Sequence, residues 1–316
     1  MSTLTSPEHS EPVTPMWTSN IQRIAQPVAA SAIIFTGTVR ERFSAVKTAW
    51  SGWMRRTKMT NKEYKAAEGI SKSSLFLMDK SPLHFKYFME HPQGDTAALL
   101  FGRASHKYIL EREDFYNEFA VMPQINRRTK AGKAEAQAFM EAHAQKDIIT
   151  KDDFDIIVEM AAQINANEVA RALLTGVREQ SYFWEDPMTG ERCKCRPDCL
   201  TTYREKPYIV DYKTCDSCQD NHFERNCRKY GYDLQAGMYT EGLFCNTFER
   251  YGFAFVAQEK KPPYAVRIYF CTDEYINQGY DKFRELIGKY HECKQSGIWY
   301  GYEGKMNTST ELYADE

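Results

Sequence analysis

Two carboxylates and an ammonium group are brought together in one short stretch by Arg196-Pro197-Asp198 and by Asp211-Tyr212-Lys213, which ends the apolar run Tyr208-Ile209-Val210. If residues 207–213 form a strand, Asp211 and Lys213 point to one face, because strand side chains alternate with period two. Asp198 is then expected to close a preceding strand over residues 191–197, with residues 201–206 as the connection of a hairpin-like unit. Carboxylates hold Mg²⁺ while leaving positions for water and a phosphate oxygen, and a lysine on the same face meets the charge that develops on the phosphate. The chemistry this suits is metal-assisted hydrolysis of a phosphate ester. Taken alone, an Asp-x-Lys strand end is more often a solvated edge, so the assignment needs further residues.

Two segments supply them. In Gln235-Ala236-Gly237-Met238-Tyr239, Gln235 and Tyr239 are four apart on a helix-like stretch; they share a face and can touch a nucleotide or brace the site. Upstream, His106 lies in Phe101-Gly102-Arg103-Ala104-Ser105-His106-Lys107-Tyr108, a segment of helical apolar spacing that offers a nitrogen ligand.

With these residues in place, residues 63–242 resemble the RecE-type exonucleases, the exonuclease VIII branch of the PD-(D/E)XK nucleases, more distantly related to the RecB nuclease domain and lambda exonuclease. The resemblance runs in the family's order through Gly69-Ile70-Ser71-Lys72-Ser73, Ser81-Pro82, Gly102-Arg103-Ala104-Ser105-His106 and Asn126-Arg127-Arg128-Thr129-Lys130-Ala131-Gly132-Lys133. It continues through Trp184-Glu185-Asp186-Pro187, Cys195-Arg196-Pro197-Asp198, Asp211-Tyr212-Lys213-Thr214 and the Gln235/Tyr239 pair.

The resemblance implies an α/β fold, a PD-(D/E)XK nuclease core with a central mixed sheet flanked by helices. It implies that His106, Asp198 and Asp211, with the Tyr212 backbone carbonyl, hold Mg²⁺, for which Mn²⁺ can substitute. Lys213, Asp211, Asp198, Gln235 and Tyr239 would form the catalytic centre, and Glu179 is a secondary candidate for the metal shell. The implied activity is an exodeoxyribonuclease that degrades one strand of linear duplex DNA from a 5′ end. The exposed 3′ strand would pass to a single-strand annealing protein of the RecT type in phage-type recombination. A ring-shaped homo-oligomer and a phage or prophage product in the bacterial cytoplasm belong to the same expectation. The alternatives are a nuclease-fold protein that binds DNA without cutting it, and an endonuclease of the same superfamily.

Ser71 and Ser73, at a predicted helix start, are candidates for holding a terminal phosphate, because helix N-termini present free N–H groups and partial positive charge. An ordinary serine cap is the competing reading. Arg127, Arg128, Lys130 and Lys133 are candidates for a DNA-backbone lining, weighed against a solvated face.

Composition sets bounds without naming a substrate. The chain has 316 residues, 42% hydrophobic, enough for one large core or a core with a small appendage. Its 41 basic and 43 acidic residues leave a net charge of −2, so any nucleic-acid contact must rest on a local basic lining. Nine cysteines are an odd count with a single C-x₂-C, Cys215 and Cys218; reduced thiols are expected, and an iron-sulfur cluster is the minor alternative. Residues 27–39 are mildly apolar but too short to span a bilayer, so no stable membrane association is expected.

The expected organisation is a poorly ordered or loosely attached extension over residues 1–58, a nuclease domain over 59–300 and a tail over 301–316. Within the extension, residues 1–20 read as disordered and residues 40–58 as an amphipathic helix, and Met59 is a candidate start. Helical periodicity covers residues 71–89, 96–111, 130–145 and 152–174. Residues 179–184, 191–197 and 207–212 read as strands, followed by a helix at 232–243, strands at 250–258 and 264–271, and a helix at 273–295.

Overall fold

The structure, a computed structural model, describes residues 55–92, 94, 96–302 and 304. The expectations for residues 1–54, and for nearly all of the tail, lie outside the described residues. In chain order the elements are β1 (Arg55–Lys58), α1 (Asn61–Ala66), α2 (Lys72–Lys80), α3 (Pro82–Glu90), α4 (Ala97–Leu110), α5 (Phe115–Glu118), β2 (Phe119–Met122), α6 (Lys130–Ala142), β3 (Asp147–Thr150), α7 (Lys151–Ala166) and α8 (Glu168–Leu173). They continue as β4 (Val177–Arg178), β5 (Gln180–Glu185), β6 (Arg192–Cys195), β7 (Cys199–Tyr203), β8 (Lys206–Cys215), α9 (Asp220–Tyr230), α10 (Tyr232–Thr247), β9 (Gly252–Glu259), β10 (Val266–Phe270) and α11 (Asp273–Ser296). The chain divides into two compact units, residues 1–52 with 186–190, and residues 53–185 with 191–316. Of the first, only a turn is described, in which the Thr189 N–H and hydroxyl donate to the Asp186 carboxylate at 2.9 and 2.6 Å.

All the named elements belong to the second unit. Its centre is a five-stranded mixed sheet in the order β10-β9-β8-β7-β4, with β8 parallel to β9 and the other pairs antiparallel. A parallel pair needs a crossover, which α9 and α10 provide. Helices cover both faces, and strand alternation divides the core between them. Ile209 clusters with Leu234 and Met238 of α10 and Leu286 of α11. Its neighbour Val210, and then Tyr212, cluster instead with Met160, Ile164 and Leu173 of α7 and α8. This is the α/β architecture with a central mixed sheet flanked by helices.

Backbone contact sets the position of α10. A Cβ on Gly237 would lie 2.1 Å from the Tyr280 amide nitrogen, and one on Gly279 would lie 1.8 Å from the Asp233 carbonyl oxygen. Only glycines allow α10 and α11 to meet this closely. That packing holds the Gln235 side of α10 against the edge of the site.

Several boundaries differ from the sequence reading, each for a local reason. Residues 71–89 form two helices, because Pro82 disfavours helical backbone at Ser81, which instead caps α3 by accepting from the His84 N–H at 3.2 Å. Residues 152–174 break at Asn167, whose side chain accepts from the Ala170 N–H at 3.0 Å. The hairpin partner of β8 is β7, not residues 191–197. Its turn uses Arg204 and Glu205 in left-handed backbone (φ 48° and 65°), so no glycine or asparagine announces it. β6 pairs with β5 in a separate antiparallel sheet, β1-β5-β6, and Asp198 therefore lies at the crossing between the two sheets. The parallel pair β2-β3 and the helix α9 are not among the elements read from the sequence; α9 buries only Phe223. Among the described residues no helix is long and apolar enough to cross a membrane.

Arg55–Lys58, read as the end of an amphipathic helix in the extension, is an edge strand paired with β5, and Lys58 forms an ion pair with Glu111 at 2.7 Å. A chain beginning at Met59 loses that strand and ion pair but no member of the cluster described below. It is expected to stay folded and to melt only slightly lower, each ~1 kcal/mol of lost edge pairing being worth roughly 2–4 °C at this size. Melting curves of the two chains check this, and a Met59 chain with no cooperative transition would show that β1 is needed for folding.

Candidate metal and catalytic site

Four parts of the fold converge on one cleft of about 1040 Å³. His106 comes from the last turn and a half of α4, Glu179 from the junction of β4 and β5, Asp198 from the junction of β6 and β7, and Lys213 from β8; all four line the cleft, together with Arg196 and Tyr239.

Ligand atoms of His106, Glu179 and Asp198 all lie within 4.8 Å of one another. His106 Nδ1 is 3.4 Å from Asp198 Oδ2, which also accepts the Tyr212 N–H at 2.7 Å. The imidazole packs against the Tyr212 ring in a T-shaped arrangement, with centroids 5.0 Å apart. Tyr212 therefore touches both ligands, Asp198 through its N–H and His106 through its ring. On the opposite face of β8, Asp211 Oδ2 is 2.6 Å from Lys213 Nζ, and its other oxygen accepts from the Gln235 amide. The Lys213 ammonium also lies over the Tyr232 ring, 4.8 Å from its centroid.

Residues 71–311 match the family described as a PDDEXK-like domain of unknown function (DUF3799). The chain belongs to this PDDEXK-like family. No curated protein matches the sequence. Among solved structures, the chain is similar to a Eubacterium rectale protein described as a "putative exonuclease", with 17% identity, 82% of this chain and 97% of that chain covered, and a TM-score of 0.54. That likeness establishes a shared fold. A second structure, of SSO0001, matches with 12% identity over 61% of this chain and 88% of that one, at a TM-score of 0.26, too low to carry an argument.

The electrostatics of this PDDEXK-like site fit a divalent cation. Burial pushes Glu179 up to about 7, with Arg196 pulling the other way. Burial, then the Asp211 and Glu179 charges, raise Asp198 well above the carboxylate range. Burial and the charge of Lys213 press His106 down to about 4, so its imidazole is neutral, the form that binds metal. Burial works against the charge on Lys213, but Asp211 beside it outweighs that and keeps it ammonium. Carboxylates that retain protons in the absence of a counter-charge, next to a neutral imidazole, are a donor set that a dication would satisfy. One nitrogen with carboxylate oxygens suits Mn²⁺ as well as the more strictly oxygen-seeking Mg²⁺.

A pH signature follows. Because the Glu179 pKa is raised, the metal-free native protein keeps a proton that the unfolded chain has released. This group's stabilising effect is therefore lost as pH rises from its ordinary value of 4.5 to about 7. Asp198 acts in the same direction, whereas the lowered pKa of His106 removes stability only as pH falls below 6.5. A dication displaces the carboxyl proton, so Mn²⁺ is expected to raise the melting temperature more at about pH 8 than at about pH 6. Equal shifts at the two values would count against Glu179 as a ligand.

The residues read from the sequence are distributed as follows. His106, Asp198 and Tyr212 are joined by one set of these contacts and Asp211, Lys213 and Gln235 by another; Asp211 lies outside the ligand cluster, and Asp211, Tyr212 and Gln235 are not among the residues lining the cleft. Tyr239 lines the same cleft one helical turn beyond Gln235. Ser71 caps α2 in a capping box, its Oγ accepting the Ser74 N–H at 3.3 Å while Ser74 Oγ accepts the Ser71 N–H at 3.0 Å. Ser73 Oγ is 3.1 Å from Ser71 Oγ. Arg127, Arg128, Lys130 and Lys133 are exposed at the start of α6 and the turn before it. None of these six residues is among those lining the cleft. Glu179, only a secondary candidate from the sequence, is a full member of the ligand cluster. Its left-handed backbone (φ 52°) and its place just before β5 carry no sequence pattern. Lys72, between Ser71 and Ser73, donates through its ammonium to the Tyr230 carbonyl, and burial, then Lys213, lowers it to about 7.

Proposed function

We propose that the protein is a divalent-metal-dependent nuclease that degrades one strand of linear duplex DNA from a 5′ end. The carrying observation is the His106–Glu179–Asp198 cluster facing the same cleft as Lys213. His106, Glu179 and Asp198 would hold the cation, with Asp211 and the Tyr212 carbonyl beside them. A bound Mg²⁺ or Mn²⁺ supplies Lewis acidity to a phosphate and lowers the pKa of water.

The chain's own groups do the rest. Asp211 and Tyr232 fix the Lys213 ammonium, which faces the charge developing on the phosphate, a task suited to a compact cation. Gln235 holds Asp211 in place, and Tyr239 offers a ring and hydroxyl to a nucleotide in the cleft. The product 3′ strand suits capture by a single-strand annealing protein of the RecT type. A ring-shaped oligomer, action in the cytoplasm and a phage or prophage origin belong to the same reading.

Linear duplexes labelled at either end, beside closed circular DNA, test it. Metal-dependent release of acid-soluble nucleotides from linear DNA alone, beginning at the 5′ label, is expected. Cutting of closed circles would instead make the protein an endonuclease, and binding without release would make it a silent nuclease fold. A 5′-phosphorylated end is expected to be degraded faster than a 5′-hydroxyl end, and Ser73→Ala to reduce that preference. An unchanged preference in the variant would remove Ser73 from the site.

A further inference from the structure

We propose that Arg196 is the positioning residue for Glu179, a clamp that holds this carboxylate in the ligand cluster and is itself held by α1. The inference rests on the metal-dependent reading above and deepens it.

The Arg196 side chain is 16% exposed, and three groups fix it on different sides. Its Nε is 2.9 Å from Glu179 Oε2, its Nη2 donates to Asn61 Oδ1 at 3.0 Å, and its guanidinium lies over the Tyr64 ring, 4.7 Å from the centroid. Asn61 and Tyr64 are three apart on α1 and so present one face to the guanidinium. α1 is anchored in turn by Lys194, whose ammonium donates to the Tyr64 carbonyl at 2.9 Å and to the Ala67 carbonyl. Lys194 and Arg196, two apart in extended chain, thus dock α1, and one of them passes the constraint on to Glu179.

Glu179 needs such a constraint. Its backbone is left-handed (φ 52°), a conformation that disfavours a side chain with a Cβ, and its N–H donates to the Asp198 carbonyl at 3.2 Å. That bond fixes the main chain but leaves the carboxylate free to rotate. Arg196 holds the carboxylate through Oε2 and so restricts its rotation. A planar fork held on a ring face and by an amide has little freedom to follow Glu179 elsewhere. An opposing effect must be weighed: a guanidinium beside a cation site repels the cation. Orientation outweighs that repulsion.

Mn²⁺ titrated into metal-free protein without DNA, followed by calorimetry and by Mn²⁺ electron paramagnetic resonance, separates the two effects. Arg196→Ala is expected to weaken binding on the order of 10-fold, the range found when a partner orienting a metal ligand is removed. Arg196→Lys should fall between, since one ammonium cannot serve Glu179 and Asn61 together. In Glu179→Ala protein, adding Arg196→Ala should weaken binding no further, because a clamp has no effect once its ligand is gone. Unchanged or tighter binding by Arg196→Ala, or an equal loss with and without Glu179, would overturn the proposal. Should Arg196→Ala not fold, Asn61→Ala tests the same clamp from its α1 end: a smaller loss of Mn²⁺ affinity supports it, and none overturns it. If parent protein binds Mn²⁺ through Glu179 yet releases no nucleotides, the nuclease reading fails and the clamp stands; if it binds no Mn²⁺, both fail.

Discussion

Lys213→Ala protein is expected to bind Mn²⁺ as the parent does and to degrade DNA on the order of 10³-fold more slowly, the usual cost of removing one group that stabilises transition-state charge. Lys213 lines the cleft but is not a ligand, and its ammonium is fixed by Asp211 at 2.6 Å and by the Tyr232 ring at 4.8 Å. A preorganised cation stabilises developing charge without reorganising during the reaction, so its loss falls on the chemical step. Stability should drop as well. Asp211, only 2% exposed, would keep Gln235 but lose its counter-charge. Breaking a buried pair from one side costs about 3–5 kcal/mol, discounted here because Lys213 is partly open to solvent. Nucleotide release, melting and Mn²⁺ titration on one preparation separate the three effects. Near-normal hydrolysis by folded Lys213→Ala protein would sink the assignment.

Asp198→Asn should do the reverse, abolishing metal binding first. Asp198 Oδ2 is the oxygen closest to His106 Nδ1, at 3.4 Å, and it also accepts the Tyr212 N–H at 2.7 Å. An asparagine retains an acceptor for Tyr212, so β8 keeps its support, but the ligand charge is gone. Mn²⁺ affinity is expected to fall by more than the ~10–100-fold seen when partners of ligands are lost, and nucleotide release to fall with it. The metal-free variant should nevertheless melt at least as high as the parent at neutral pH, because the parent's buried carboxyl is crowded by Asp211 and Glu179. A variant that binds Mn²⁺ normally would remove Asp198 from the ligand set, and one that melts much lower would show that its charge is structural.

The two predictions draw on different parts of the sequence reading. Asp211 and Lys213 were legible because strand alternation is local: once Tyr208-Ile209-Val210 reads as a buried strand, the two side chains must share a face. Gln235 and Tyr239 were legible for the parallel reason that helical spacing fixes which residues face together, and His106 through the family resemblance of Gly102-Arg103-Ala104-Ser105-His106. The family's mixed sheet followed from the order of these elements.

Sequence did not reveal which strand would pair with β8. The turn at Arg204 and Glu205 is left-handed in residues that do not advertise it, so the hairpin was assigned to residues 191–197 and Asp198 to a strand end rather than to the crossing between two sheets. Nor could it promote Glu179 to a full ligand or join Arg196 to Asn61. Those contacts link residues far apart in the chain, and Glu179 occupies a backbone conformation set by closure of the sheets around it. Local patterns specify the face on which a side chain emerges, because that depends on a few dihedral angles. Which faces meet depends on how helices and sheets pack over long loops, and the tertiary structure alone decided that Glu179 would join His106 and Asp198.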